Sequence, residues 1–199
     1  MTTRAERADE SQRPGALADG AVPARVTVVL VGRSGVGKST TANVLAELTG
    51  RALVEVGDVV RSGAVQAGRS PLDHARQVIG SGDETHFVRR AIDEVRRRGP
   101  SVIVGPRLPA ELAYLRRELP PVLAIGLLLP TAQRWARIAR RSSAFDPAAQ
   151  AVRDEIEENW GLARTLADCD WRISTVGSPR AVVVECLRHW SRFGASAAI

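Results

Sequence analysis

The sequence predicts a three-layer α/β fold, a five-stranded parallel sheet flanked by helices, on three observations. The first is a β-branched apolar run, Val26 to Val31, that enters Gly32-Arg33-Ser34-Gly35-Val36-Gly37-Lys38-Ser39 and leaves it as a helical stretch ended by Gly50. The second is a succession of further strand-length apolar runs, at 52–56, 101–104, 122–129 and 170–175, separated by amphipathic helical stretches, the spacing of βαβ units. The third is that residues 25–31 and 122–129 are apolar on both faces, as central parallel strands covered by helices must be.

The segment between the first strand and its helix reads G-x-x-x-x-G-K-S, with Thr40 following, and the chemistry needs these residue types. Glycines let consecutive backbone N–H groups converge on phosphate oxygens, and the helix opening at Lys38 adds the positive end of its dipole. The pattern assigns Gly32, Ser34, Gly35, Val36, Gly37, Lys38, Ser39 and Thr40 to the phosphates of ATP, with Lys38 on the β/γ phosphates and Ser39 on Mg²⁺. At this composition the pattern arises by chance in on the order of one such sequence in a thousand. Lys38 is also the sole lysine of the chain, so a compact ammonium is kept at the one place where a planar guanidinium fits badly among phosphates.

A chain of 199 residues with 44% hydrophobic content is long enough for one well-buried domain and short for two. Residues 1–24 are polar, mixed in charge and broken by Pro14, Gly15, Gly20 and Pro23, which predicts a mobile tail before a domain over 25–194 and a frayed 195–199. The net charge of +6 admits nucleic acid, but the arginines are scattered among acids and aromatics are only 4%, which argues against it. The two cysteines, Cys169 and Cys186, lack metal spacing, no apolar run reaches membrane-span length, and no leader core is seen. The expectation is a cytoplasmic protein with reduced thiols, no membrane partner, a small-molecule partner, and an oligomeric state left open between monomer and homodimer.

Taken in order, the second strand (52–56) ends at Gly57-Asp58-Val59-Val60-Arg61. Asp58 could cap the next helix, but carboxyl ends of parallel strands line the ligand crevice, so Asp58 and Arg61 become candidates to orient and hold an acceptor. Residues 63–81 are glycine-dotted and read as a flexible segment with a short helix from about Pro71 to Ile79. Ser81-Gly82-Asp83-Glu84 reads as a capping box for a helix with Phe87, Val88, Ala91, Ile92 and Val95 as its stripe. The third strand leads into Gly105-Pro106-Arg107, a second cleft arginine, and a helix over 110–118. After the fourth strand, a helix carries Trp135, Ile138 and Ala139 on its expected buried face and Arg134, Arg137 and Arg141 on another, running into a polar loop. An arginine-bearing helix ending in such a loop has the layout of a short arginine-rich lid, about 142–149. Residues 148–166 read as one helix whose charges other than Arg153 form a solvated face, and Ser178-Pro179 starts the last helix, with Val182, Val183, Cys186, Leu187 and Trp190 inward. His74, His86 and His189 lack ligand spacing; with Trp171 and Cys169 they read as surface or packing residues.

With these stretches in place the chain resembles the nucleoside monophosphate kinase group of P-loop proteins, from about Arg25 to Trp190. The likeness rests on the phosphate loop, on Gly57-Asp58-Val59-Val60-Arg61 as a G-D-x-x-R segment, and on Val104-Gly105-Pro106-Arg107 as a partial D-G-x-x-R segment. A closer likeness is to a small branch related to dephospho-CoA kinases, carried by Arg153-Asp154-Glu155-Ile156-Glu157-Glu158-Asn159-Trp160-Gly161-Leu162 and Ala167-Asp168. The resemblance implies transfer of the ATP γ-phosphoryl group to a small acceptor, with ATP and Mg²⁺ as cofactors. Lys38, Asp58, Arg137 and Arg141 would be catalytic, Asp58, Arg61, Arg107 and Arg153 would bind the acceptor, and Ser39 would hold the metal. A nucleoside monophosphate or related nucleotide is the expected acceptor; a ribose hydroxyl, as in dephospho-CoA kinases, is the enzyme alternative. Where the group places an Asp, this sequence has Val104, so the ion would rely on Ser39, nucleotide oxygens, waters and Asp58. That departure opens a third reading, a nucleotide-binding regulatory protein with slow turnover.

Overall fold

The computed structural model describes residues 23–196, with side chains through residue 193. Residues 1–22 of the predicted tail and the terminal 197–199 lie outside the described residues. Five strands, β1 (Thr27–Val31), β2 (Ala52–Glu55), β3 (Ser101–Val104), β4 (Val122–Leu128) and β5 (Trp171–Ser174), form one sheet in the order β2-β3-β1-β4-β5. All neighbours are parallel, with Val29 opposite both Ile103 of β3 and Ala124 of β4. The predicted sheet is therefore present, and β1 lies at its centre.

Alternation along β1 divides the core. Val28 and Leu30 face a layer made by α1 (Lys38–Thr49) and α9 (Pro179–Ser196), where Ala42, Leu45, Val182, Cys186 and Trp190 are buried. Val29 and Val31 face the opposite layer, formed by α2 (Val56–Gln66), α3 (Pro71–Gly80), α4 (His86–Arg98), α5 (Pro109–Glu118) and α8 (Leu162–Ala167). Two helices remain, α6 (Thr131–Arg141) and α7 (Pro147–Asn159), and they stand over the carboxyl ends of the strands beside the glycine-rich loop. Because β3 and β4 flank β1 while the chain moves outward in both directions, the crevice opens at the carboxyl end of β1, where an open α/β sheet holds ligands.

Several expectations are corrected. The glycine-dotted 63–81 region is mostly helix: Gly63 sits inside α2 and packs against the ring of His74 in α3, since a side chain there would strike His74. The Ser81–Glu84 capping box does not form. Ser81 instead closes α3, donating its hydroxyl to Val78 O (2.7 Å), Thr85 is the N-cap of α4, and Asp83 receives Arg89. The predicted single helix over 148–166 breaks at Gly161, whose φ of 89° lies in the left-handed region, so α8 starts in a new direction. β1 starts at Thr27 and β5 at Trp171, β2 and β4 each end one residue early, and α5 begins at Pro109. The last helix continues to Ser196, past the point where fraying was expected, after Ser178 accepts from Ala181 N (3.2 Å) as its cap.

Candidate active site

The loop between β1 and α1 is shaped by two close approaches. A side chain at Gly32 (φ 154°) would lie 2.7 Å from Leu127 O, and one at Gly35 (φ 79°) would lie 2.8 Å from Ile138 Cγ1 and 2.9 Å from Arg134 O. Glycine is required there by both backbone conformation and space. Gly37, also left-handed at φ 104°, is the N-cap of α1 and offers no side-chain cap; no acid occupies the first turn, and Ser39 and Thr40 are exposed. The N–H groups that open this twelve-residue helix are thus left for an anion.

Lys38 folds back over its own loop, its ammonium donating to Gly32 O (2.6 Å) and Arg33 O (2.8 Å). Burial depresses its pKa to about 7, helped by the positive charges of Arg107, Arg153 and Arg134 and opposed by Glu157. Four charged side chains from the β3–α5 loop, α6 and α7 therefore converge on the phosphate-loop lysine.

The α6 arginines have different surroundings from those expected. Arg134, placed by the sequence on the exposed side, is buried at 1% exposure, while Ala139 is exposed and Trp135 only half-buried. Its guanidinium donates to Ser34 O (2.9 Å) and to both oxygens of Asp154 (2.6 and 3.3 Å). Trp135 Nε1 (3.1 Å) and Gln150 Nε2 (2.9 Å) complete the donors around Asp154. Burial alone raises the pKa of Asp154, but the Arg134 and Trp135 hydrogen bonds and the guanidinium charge overcome it and hold it below the ordinary value. Arg33 adds a bond to Asp154 O (2.9 Å) and an ion pair with Glu158. The charges of α7, read from the sequence as a solvated face, bind it to the phosphate loop.

Arg137 is also a fastener. It donates to Val36 O (3.2 Å) and to Thr175 O (2.6 Å), while the Thr175 hydroxyl reaches Val36 O (2.8 Å), so loop and β5 end are tied together. Arg141 and Arg140 are exposed at the end of α6 and, with Arg137, Gly37, Thr40, Gly177 and Pro179, border a cavity of about 370 Å³ beside α1. The loop expected as a lid spans 142–146, and 147–149 form the first turn of α7.

The expected acceptor residues divide into two groups. Arg107 and Arg153 meet at Glu157, whose Oε1 is 3.3 Å from Arg107 Nε and 3.2 Å from Arg153 Nε. The backbone of Arg107 is fixed by Glu111, a buried carboxylate that accepts from Arg107 N (2.6 Å) and Leu108 N (3.1 Å), and by Thr165, which donates to Arg107 O (2.8 Å). Burial pushes Glu111 up to about 7 despite those two N–H groups. Asp58 and Arg61 lie instead on the first turns of α2, Asp58 inside the helix and not its cap, paired with each other and with Glu55 (3.3 Å from Arg61) on an exposed surface. Gly57 abuts Gly105, so that pair borders the end of β3. Val104 is buried at 4% exposure and supplies no polar group. Asp154 and Glu157 are the site residues that sequence reasoning missed; the signal was their place in the Arg153-Asp154-Glu155-Ile156-Glu157 run, where charges recur on the side of the helix that should be apolar.

No protein-family model matches the chain. A protein of Aeropyrum pernix described as a UPF0200 protein is 29% identical over 175 residues, covering 84% of this chain and 94% of its own length. Among solved structures, a gluconokinase from Sinorhizobium meliloti superposes with a TM-score of 0.64 at 18% identity, covering 88% of this chain and 97% of its own. A shikimate kinase from Aquifex aeolicus gives 0.56 at 19%, covering 85% and 98%. The fold is thus one shared with P-loop kinases, and at these identities the likeness concerns the fold alone.

Proposed function

We propose that this chain is an ATP-dependent phosphotransferase, a P-loop small-molecule kinase that moves the γ-phosphoryl group to a small, nucleotide-like acceptor. The observation that carries the reading is the phosphate loop itself: α1 opens with uncapped N–H groups after Gly37, and Lys38, its pKa depressed to about 7, folds back onto Gly32 O and Arg33 O. Burial is the first cause of that depression and the arginine charges add to it, so a polyphosphate, which supplies negative charge at the ammonium, is the ligand that favours its charged form.

In this reading the uncapped N–H groups of α1 and Lys38 receive the β/γ phosphates, and the cavity under Arg140 and Arg141 takes the nucleoside. The residues fit Mg²⁺ held mainly by nucleotide oxygens: Ser39 stands exposed at the first turn, and the buried apolar Val104 adds no carboxylate. When bound, the ion would neutralise charge on the transferring group. Arg107 and Arg153 face the acceptor; Arg137 and Arg134 hold the loop in shape. Phosphoryl transfer asks a protein for positioning and charge neutralisation, which these groups supply. The 142–146 loop serves as the lid of a single domain over 25–194.

A panel tests this: ATP and Mg²⁺ with AMP, CMP, GMP and UMP, and with hydroxyl acceptors, namely the parent nucleosides, dephospho-coenzyme A, gluconate and shikimate. The last two are included because solved proteins of this fold are named for them. Product from a nucleotide, nucleoside or dephospho-coenzyme A supports the proposal, product from gluconate or shikimate alone keeps the phosphotransferase and overturns its nucleotide-like acceptor, and failure to bind ATP would discard it. ATP binding without transfer would favour the regulatory reading, which Val104 motivates.

A further inference from the structure

Glu157 has a peculiar environment for a charged residue. Its side chain is buried; one carboxylate oxygen accepts from Arg153 Nε and lies 3.3 Å from Arg107 Nε, which makes no hydrogen bond, and the other, Oε2, is buried with no hydrogen-bond partner. An unpartnered carboxylate oxygen away from water is costly and marks a place where a donor is missing. The helix that carries Glu157 stands at the phosphate loop, to which Arg33 ties α7 through Asp154 O (2.9 Å) and Glu158.

We infer that Glu157 accepts the proton of a hydroxyl group on the acceptor, so that the phosphoryl group ends on an alcohol oxygen and not on a phosphate. The inference rests on the phosphotransferase reading above and names its acceptor class. Three observations carry it. A hydroxyl brings the donor that Oε2 lacks, whereas an ionised phosphate monoester brings only acceptors. The two arginines expected to clasp an acceptor phosphate already face a carboxylate, beside which a phosphate dianion would be repelled. The other candidate base, Asp58, is 67% exposed and engaged by Arg61. A buried carboxylate near the phosphate loop is better placed to take a proton than an exposed one at the sheet's edge.

The step balances as follows. The acceptor hydroxyl oxygen forms a bond to the γ-phosphorus, and the bond from that phosphorus to the β,γ-bridging oxygen breaks. ADP leaves with that electron pair, and the hydroxyl proton passes to Glu157 Oε2, from which it returns to solvent after product release.

The test runs the same acceptor panel with wild-type chain and Glu157→Gln, identifying the product bond by ³¹P NMR and measuring ATP affinity separately. The expected result is a phosphate ester whose rate of formation at saturating ATP falls at least hundredfold in Glu157→Gln, the separate ATP titration fixing the concentration at which the variant is saturated. A thermal melt establishes that the variant is folded, and Glu157→Asp carries the same comparison if it is not. A phosphoanhydride product, ester formation in the variant within threefold of wild type, or bound ATP that yields no ester with any member each overturns the inference. The anhydride leaves the phosphotransferase reading standing, whereas loss of ATP binding by the wild-type chain, or bound ATP with no transfer to any acceptor, removes both.

Discussion

Binding of MgATP at pH 8 is expected to draw nearly one proton from solvent. The perturbation is on Lys38, whose ammonium is held to about 7, from an ordinary 10.5, by burial and by Arg107, Arg153 and Arg134. At pH 8 a group of pKa about 7 is ~10% protonated, so if phosphate oxygens restore an ordinary pKa, uptake is ~0.9 proton. Uptake should fall to ~0.5 at pH 7 and approach zero below about pH 6. The same linkage weakens affinity roughly fiftyfold between pH 7 and pH 9, because an increasing share of free protein must first be protonated. Without ligand the sign is consistent: the unfolded chain binds more protons at this residue between about 7 and 10.5, so its contribution to stability rises with pH across that window. Calorimetry of MgATP binding in buffers of different ionisation enthalpy reads the proton count directly. Uptake below about 0.2 at pH 8 with a flat affinity from pH 7 to 9 would refute the charge convergence on Lys38.

Three further outcomes are expected from the groups that frame the loop. Gly35→Ala forces a side chain to within 2.9 Å of Arg134 O at φ 79° and should cost ~2–4 kcal/mol and most of the ATP affinity. Gly50→Ala, also left-handed but with open space around it, should cost only ~1–2 kcal/mol; equal losses in denaturant titrations would deny that α6 presses on the loop. Asp154→Asn leaves Arg134 buried without its carboxylate and should destabilise by ~3 kcal/mol, with the Asp154→Leu/Arg134→Met pair recovering much of it; additive losses in that double-mutant cycle would contradict the pair. Glu111, raised to about 7, contributes stability that is full below about 4.5 and is lost as pH rises through 7. The melting-temperature advantage of wild type over Glu111→Gln should therefore shrink from pH 4.5 to pH 8, and a growing advantage would reverse the assignment.

What the sequence made legible follows physical range. The phosphate loop is a local device: Gly32, Gly35 and Gly37 adopt their conformations within eight residues, and the αL cap at Gly50 ends α1 where expected. The strands were legible because burial on both faces leaves an unbroken apolar run, and boundary errors came where the apolar run outlasts the ladder, as at Val56, which opens α2, and at Leu129. The region 63–81 was misread because glycine was taken as a mark of flexibility, whereas Gly63 is there to let α3 approach α2. Arg107 and Arg153 come together as substrate candidates at one place, while Asp58 and Arg61 sit farther out on the surface of α2.

The helix α7 was expected, but its inward face was the least legible part of the site, for a reason that also explains its use. A helix that packs on a charged loop cannot show the apolar stripe by which helices are recognised, since its inward positions must carry partners for buried arginines. Asp154 and Glu157, three residues apart, share one side of α7, and each meets an arginine from another element, Arg134 of α6 and Arg107 of the β3–α5 loop. The two carboxylates differ in their donors. Asp154 has donors on both oxygens and fastens the helix; Glu157 has one oxygen engaged and one without a donor. If stability alone had selected these residues, a carboxylate with donors on both oxygens, as at Asp154, would have served better than one with a buried oxygen unpartnered. The asymmetry therefore separates the residue that holds α7 over the phosphate loop from the residue that α7 delivers to it.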